Sequence, residues 1–277
     1  MRKELTLKEL QIESLKILKD VHSFCNERDI KYSVAYGTLI GAIRHKGFIP
    51  WDDDIDIIMP RPDYERFCAT YKSERYKFKC RQNDEKCFLA YGRVYDDKVT
   101  TSETMIPWCS ENGGVWIDIF PVDTVSDVEL AYKKHKKELW RKWIIVTISR
   151  AATVGFDKNK PLDYNVRLLA KKILTLDGLL TTYLLDSFMK KAKSVMVDNS
   201  SHWSQVTCMD GYEWHKTEDF SSTIMMPFED TEVMVMNGYD NVLRECYGDY
   251  MQLPPEEQRV GHSDGLTMFY WKEKVKR

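Results

Sequence analysis

The amino-acid sequence predicts an α+β fold, a mixed sheet core flanked by helices and carrying a helical insertion. Three observations carry that prediction. Asp54-Ile55-Asp56-Ile57 alternates acid with β-branched residue, and Val115 to Asp123 embeds Asp118 among aromatic and branched side chains, as strands do. Leu7 to Cys25, Tyr64 to Tyr71 and Tyr239 to Tyr247 instead space their apolar residues by three and four, the period of an amphipathic helix. Helical spacing also dominates from about Val128 to Val197. We therefore divide the chain into a core with its N-terminal helix (1–127), a helical insertion or subdomain (128–197) and a C-terminal part that completes the core and rims the site (198–277).

In chain order, Thr6 and Glu9 form a T-x-x-E capping box ahead of an amphipathic helix that the polar NERD at 26–29 ends. Ile30 to Tyr36 reads as a strand leading into a small-residue turn at Gly37 and Thr38. Leu39 to Ile43 suits a short helix opening there, and the free N–H groups of such an opening favour phosphate. Gly47 and Pro50 break it, and a strand runs from about Asp53 to Met59 between Pro50 and Pro60. A helix follows over Asp63 to Tyr71, then strands around Tyr76 to Cys80 and Phe88 to Tyr95. In the last third, Val233 to Asn237 alternates like a strand, Tyr239 to Tyr247 is helical, and LPPEEQRVGH at 253–262 is a Pro-punctuated loop.

The chemistry concentrates in Tyr36 to Met59. Residues two apart on a strand share a face, so Asp54 and Asp56 point together while Ile55 and Ile57 enter the core. Two carboxylates so placed suit hard divalent cations, Mg²⁺ or Mn²⁺. Asp118 is costly in so apolar a strand without a partner. It is either a buried ion pair with an arginine, or a third metal ligand or general base. Arg93, within its own apolar strand, is a surface residue or a ligand to an anion. Arg44 and Lys46 supply positive charge beside the acids, and Arg259 and His262 either decorate the surface or fold back over a bound phosphate.

A formal charge of -2 and a pI near 6.3 argue against a dedicated nucleic-acid binder. Seven cysteines, scattered and without a C-x-x-C pair, offer neither a zinc spacing nor a disulfide framework, as expected of reduced thiols in the cytoplasm. MRKELTLKEL lacks the apolar run of a signal peptide, and no segment approaches the roughly 18 apolar residues of a membrane span. Lys133 to Lys142, interleaved with Trp140 and Trp143, forms a basic aromatic face that either covers a core or meets an anionic membrane peripherally, at its inner side.

On GTLIGAIRHKGFIPWDDDIDI (37–57), WIDIFPVD (116–123) and YGDYMQLPPEEQRVGH (247–262), the chain resembles the LicD family of phosphotransferases, related to fukutin-type proteins. The resemblance implies a nucleotidyltransferase-like fold whose pattern is a Gly-Thr turn (Gly37, Thr38), an acid-x-acid strand (Asp54, Asp56) and a third acid on a later strand (Asp118). Asp52 shares the strand parity of Asp54 and is an alternative first ligand. Where the family often carries paired histidines, this chain has His262 and Ser263, and the zinc-binding cysteines of vertebrate relatives have no counterpart. The activity implied is metal-dependent transfer of a substituted phosphoryl group, foremost phosphocholine, from a CDP-alcohol donor such as CDP-choline. The acceptor implied is a hydroxyl of a cell-surface glycan, a teichoic acid or lipopolysaccharide, or its lipid-linked precursor. Gly37, Thr38, Arg44, Lys46, Arg93, Arg259 and His262 are then the substrate-binding set. A choline head group would need an aromatic cage, for which Trp108, Trp116, Trp203 and Trp271 are candidates. Nucleotidyl transfer onto a small molecule and an inactive binding module are the alternatives.

Overall fold

The computed structural model describes residues 2–85, 87–104, 113–150, 162–174, 176, 179–207, 212–261 and 267–272. Helix α1 (Leu7–Glu27) starts at the expected capping box: Thr6 Oγ1 accepts from the Glu9 amide at 3.3 Å and the Glu9 carboxylate accepts from the Thr6 amide at 2.9 Å. It buries Ile17, Leu18, Val21 and Cys25 completely. Strand β1 spans only Ser33–Val34, shorter than the pattern predicts. Tyr36 takes a left-handed φ of 51°, which ends the extended run and turns the chain into helix α2 (Tyr36–Ile40). A π turn over Gly41–His45 continues α2 and stops at Lys46, itself left-handed at φ 56°.

Strand β2 (Asp56–Pro60) begins three residues later than expected, so Asp53 and Asp54 lie in the loop that feeds it. Helix α3 (Arg61–Thr70) follows, then β3 (Tyr76–Lys79), β4 (Gly92–Asp96), β5 (Thr100–Thr104) and β6 (Trp116–Val125). The central sheet runs β1-β2-β6-β4-β3. Its β2–β6 pair is parallel, and the other pairings are antiparallel. The far half of β6 continues into β7 (His202–Ser204) and β8 (His215–Lys216). Between them in sequence come α4 (Glu129–Arg150), α5 (Leu162–Leu174) and α6 (Leu179–Lys193). Leu139 and Val146 of α4 and Leu185 and Phe188 of α6 build a second buried cluster with Val125 and Val206.

Two small ribbons complete the fold. Strands β9 (Thr223–Phe228) and β10 (Thr231–Met236) form a hairpin, and α7 (Tyr239–Tyr247) follows where its period places it. Strand β11 (Thr267–Trp271) pairs with β5. The Thr-rich β5 and the exposed β9 carry no periodic apolar signal, so neither was legible as a strand. Among the described residues no helix is long and apolar enough to cross a membrane.

At the end of the parallel pair, Arg61 clamps Asp123 bidentately at 2.6 and 2.8 Å, with Asp123 only 1% exposed. Removing one partner strands a buried charge. Arg61→Leu is expected to cost about 3 to 5 kcal/mol, measured by urea denaturation. The double change Arg61→Leu with Asp123→Leu should recover much of that loss, and a double variant no better than the single would refute the ion-pair account.

Candidate active site

The register of the sheet assembles the site. Asp56 on β2 lies opposite Asp118 on β6, and Arg93 on β4 lies opposite Asp118 from the other side. The Arg93 guanidinium holds Asp118 through Nε to Oδ1 at 2.6 Å and Nη2 to Oδ2 at 2.9 Å. Its carbon Cζ lies 4.0 Å from the centre of the Trp116 ring. The ion pair with an arginine is thus present at Asp118. Each carboxylate oxygen nevertheless keeps acceptor capacity beyond one donor.

Asp56 stands among other acids. Burial, then the charges of Asp54, Asp118 and Asp52, push its carboxyl well above the usual range, with Arg93 opposing. Burial and the charges of Asp54 and Asp53 push Asp52 up to about 8. Asp52, Asp53 and Asp54 each offer a carboxylate oxygen within 4.8 Å of the others. Among the described residues the carboxylate oxygens that converge within reach of one ion are those of Asp52, Asp53 and Asp54, so the structure brings in Asp52 and Asp53 beside Asp54, while Asp56 and Asp118 flank that group and are linked to it by the charges felt at Asp56. An all-oxygen donor set with strained ionisation fits a hard divalent cation, whose charge would relieve the repulsion that raises these carboxyls.

Gly37 and Thr38 serve this cluster directly. A Cβ on Gly37 would sit 2.6 Å from Oδ2 of Asp52, so a side chain there would push that carboxylate from its place. Thr38 Oγ1 accepts from the Asp56 amide at 3.0 Å and pins the start of β2. Both residues thus contact the acids themselves. From the opposite side, Gln11 Nε2 donates to the Asp52 carbonyl at 2.9 Å, a contribution of α1 that no motif announces.

The cations divide by role. Arg44 donates through Nη1 to the Tyr250 carbonyl at 2.6 Å, tying the π turn to the C-terminal segment, whereas Lys46 is exposed. Arg259 lies 5.5 Å above the Trp51 ring, and a Cβ on Gly261 would come within 3.1 Å of Asp53 Oδ2. The 253–261 loop does fold back onto the acids. His262 and Trp108 lie outside the described residues. Trp116 is occupied by Arg93 and packs on Phe269 at 4.7 Å between ring centres, and Trp271 lies on β11. Trp203 lines a cavity beside α2 and α7.

Residues 29–159 match the family model described as LicD/FKTN/FKRP, nucleotidyltransferase domain, a span that includes every acid of the cluster. Over 94% of its length the chain is 32% identical to the lipopolysaccharide cholinephosphotransferase LicD of Haemophilus influenzae, covering 97% of that protein. The chain belongs to the LicD family. A shorter stretch, 23% of the chain, is 38% identical to an uncharacterised protein of Rickettsia typhi, over 21% of that protein. An uncharacterised protein of Rickettsia prowazekii is 35% identical over 27% of the chain and 32% of its own length. For a LicD-family chain the three sequence motifs fall at the π turn and acid loop, at β6, and at the loop that closes on Trp51.

Proposed function

We propose that the protein transfers phosphocholine from CDP-choline to a hydroxyl of a cell-surface glycan or its lipid-linked precursor, with Mg²⁺ or Mn²⁺ at the acid cluster. The observation that carries this reading is the row Asp56, Asp118, Arg93 on three neighbouring strands, set beside the Asp52–Asp54 loop. Near full-length similarity to a lipopolysaccharide cholinephosphotransferase supports the choice of group and acceptor class. The nucleotidyltransferase-like character of the fold is part of the proposal, as is a helical insertion over 128–197 that serves the acceptor.

In the reaction the acceptor oxygen attacks the phosphorus that bears choline. The bond from that phosphorus to the bridging oxygen breaks, and CMP leaves with the electron pair. Such displacements need positioning and charge neutralisation more than covalent help. A divalent cation supplies a Lewis acid that neutralises the diphosphate. Asp52, Asp54 and Asp56 would hold it. Asp118, oriented by Arg93, would complete that set or take the hydroxyl proton. Lys46 and Arg259 bring positive charge to the rim. A lipid-linked acceptor accords with α5, which exposes Leu162, Val166, Leu169 and Ile173 along one face.

The test is CMP release on incubation with Mg²⁺, a candidate glycan and CDP-choline, CDP-ribitol or CDP-glycerol. CMP from CDP-choline is expected. The description of the matching family model as a nucleotidyltransferase domain favours one second reading, nucleotidyl transfer onto a small molecule. Pyrophosphate released from a nucleoside triphosphate, with no CMP from any CDP-alcohol, would select that reading instead.

A further inference from the structure

Beside the acid cluster lies a small, partly open cavity whose walls include Tyr36, Ile58, Trp203, Glu213, His215 and Tyr247. Three sides of its position are fixed by the acids. Ile58 is two residues along β2 from Asp56 and shares its face, roughly 7 Å away. Tyr36 adjoins Gly37, on which the Asp52 carboxylate rests. Partial burial holds the phenol of Tyr247 on α7 above the usual range, and the charges of Cys246, Asp56, Glu213 and Asp52 add to that shift.

The lining is nearly all carbon. Its aromatic members come from three distant parts of the chain: Tyr36 before α2, Trp203 on β7 and Tyr247 on α7. One carboxylate stands just behind the wall. Glu213 is 8% exposed and is held by the Tyr36 hydroxyl at 2.8 Å and the Gln205 amide at 3.4 Å. Carbon walls whose polar members Glu213 and His215 are already engaged by Tyr36, Gln205 and Glu245 are a poor home for a polyol, whose hydroxyls would lose hydrogen bonds to water without replacement. They suit a cation that has no N–H to satisfy and that gains from aromatic faces and a nearby negative charge.

We propose that this cavity is the head-group pocket for a quaternary ammonium, and that Glu213, Tyr36, Trp203 and Tyr247 select choline over glycerol and ribitol in the donor. The inference rests on the reading of the acid cluster as the phosphotransfer site. Tyr36 gains a purpose for its strained backbone: the left-handed turn carries its ring into the cavity wall while Gly37 meets Asp52.

The experiment compares CDP-choline, CDP-glycerol and CDP by calorimetric affinity, and the two CDP-alcohols by KM for CMP release, in wild type, Glu213→Gln and Tyr247→Leu. Wild type should favour CDP-choline over CDP-glycerol by about tenfold or more. Each substitution should shrink that preference several-fold while affinity for CDP stays put. Tyr247 is 47% exposed, so Tyr247→Leu decides the matter if Glu213→Gln melts early. CMP released from CDP-choline with the preference intact in both variants, or no preference in wild type, overturns the pocket and leaves the phosphotransfer reading standing. Absence of CMP release from every CDP-alcohol in wild type overturns both.

Discussion

Asp56→Asn is expected to lower CMP release by roughly 10² to 10³-fold, the scale of losing one electrostatic contact to the reacting phosphate, without unfolding the protein. The substitution keeps the shape of the side chain and leaves the Thr38 bond to the residue 56 amide in place. It also removes a carboxyl whose ionisation the surroundings resist, so the metal-free protein should melt no earlier than wild type. Asp118→Asn forms the instructive contrast. It should lose activity too, but it breaks a bidentate pair and leaves Arg93, 10% exposed, without its carboxylate, so stability should fall with it. Steady-state CMP release and thermal melting on both variants separate the two effects. If Asp56→Asn stayed within a few-fold of wild type, the acid cluster would have no part in the chemistry.

In EDTA, the melting temperature should fall as pH rises from 5 to about 8.5, and millimolar Mg²⁺ or Mn²⁺ should reverse the fall. The sign follows from Asp52, held at about 8 against an ordinary 3.8. Between those values the native state binds more protons than the unfolded chain, so stability present below 3.8 is lost as pH climbs toward 8. Asp56, raised in the same direction, adds to the slope. A cation that binds only the folded cluster restores stability by mass action and displaces the protons it replaces. Asp52→Asn should flatten the profile in EDTA and raise the melting temperature at pH 8 by several degrees. Calorimetric scans in paired EDTA and Mg²⁺ buffers provide the check; a profile in EDTA that is flat or rises with pH would defeat the argument.

What the sequence made legible is what local period encodes. The alternation at Ile55, Asp56 and Ile57 did sort acid from core, and the capping box did fix the start of α1. The embedding of Asp118 in apolar residues announced a buried acid that needs a partner. Period says which face a residue takes and nothing about which strand lies alongside. Hence Arg93 and Asp118 were singled out separately, and only the sheet order made them a pair. Tyr36 was missed as a site residue because its left-handed backbone breaks the strand that the pattern predicts. Glu213 reaches the cavity from beyond the insertion with no motif around it, and Tyr247, although it opens the 247–262 motif, sits on a helix whose period says nothing of a cavity. Strands β5 and β11 stabilise each other across more than 150 residues, and short polar strands of that kind carry no signal until they are paired.

The parallel pairing of β2 with β6 has a consequence for how the protein comes into being. Parallel neighbours cannot form through a tight turn, so Asp56 and Asp118 meet only after the chain between them has been gathered in. Nothing in either strand alone is a half-built site. A slip of one residue in that pairing would send an acid into the core and an isoleucine toward the substrate, so a mispaired chain is both unstable and inert. Structural proofreading and catalytic competence are thereby tied to a single step. A divalent cation of the kind proposed would also reward the correct register, because only there does Asp118 come alongside Asp56.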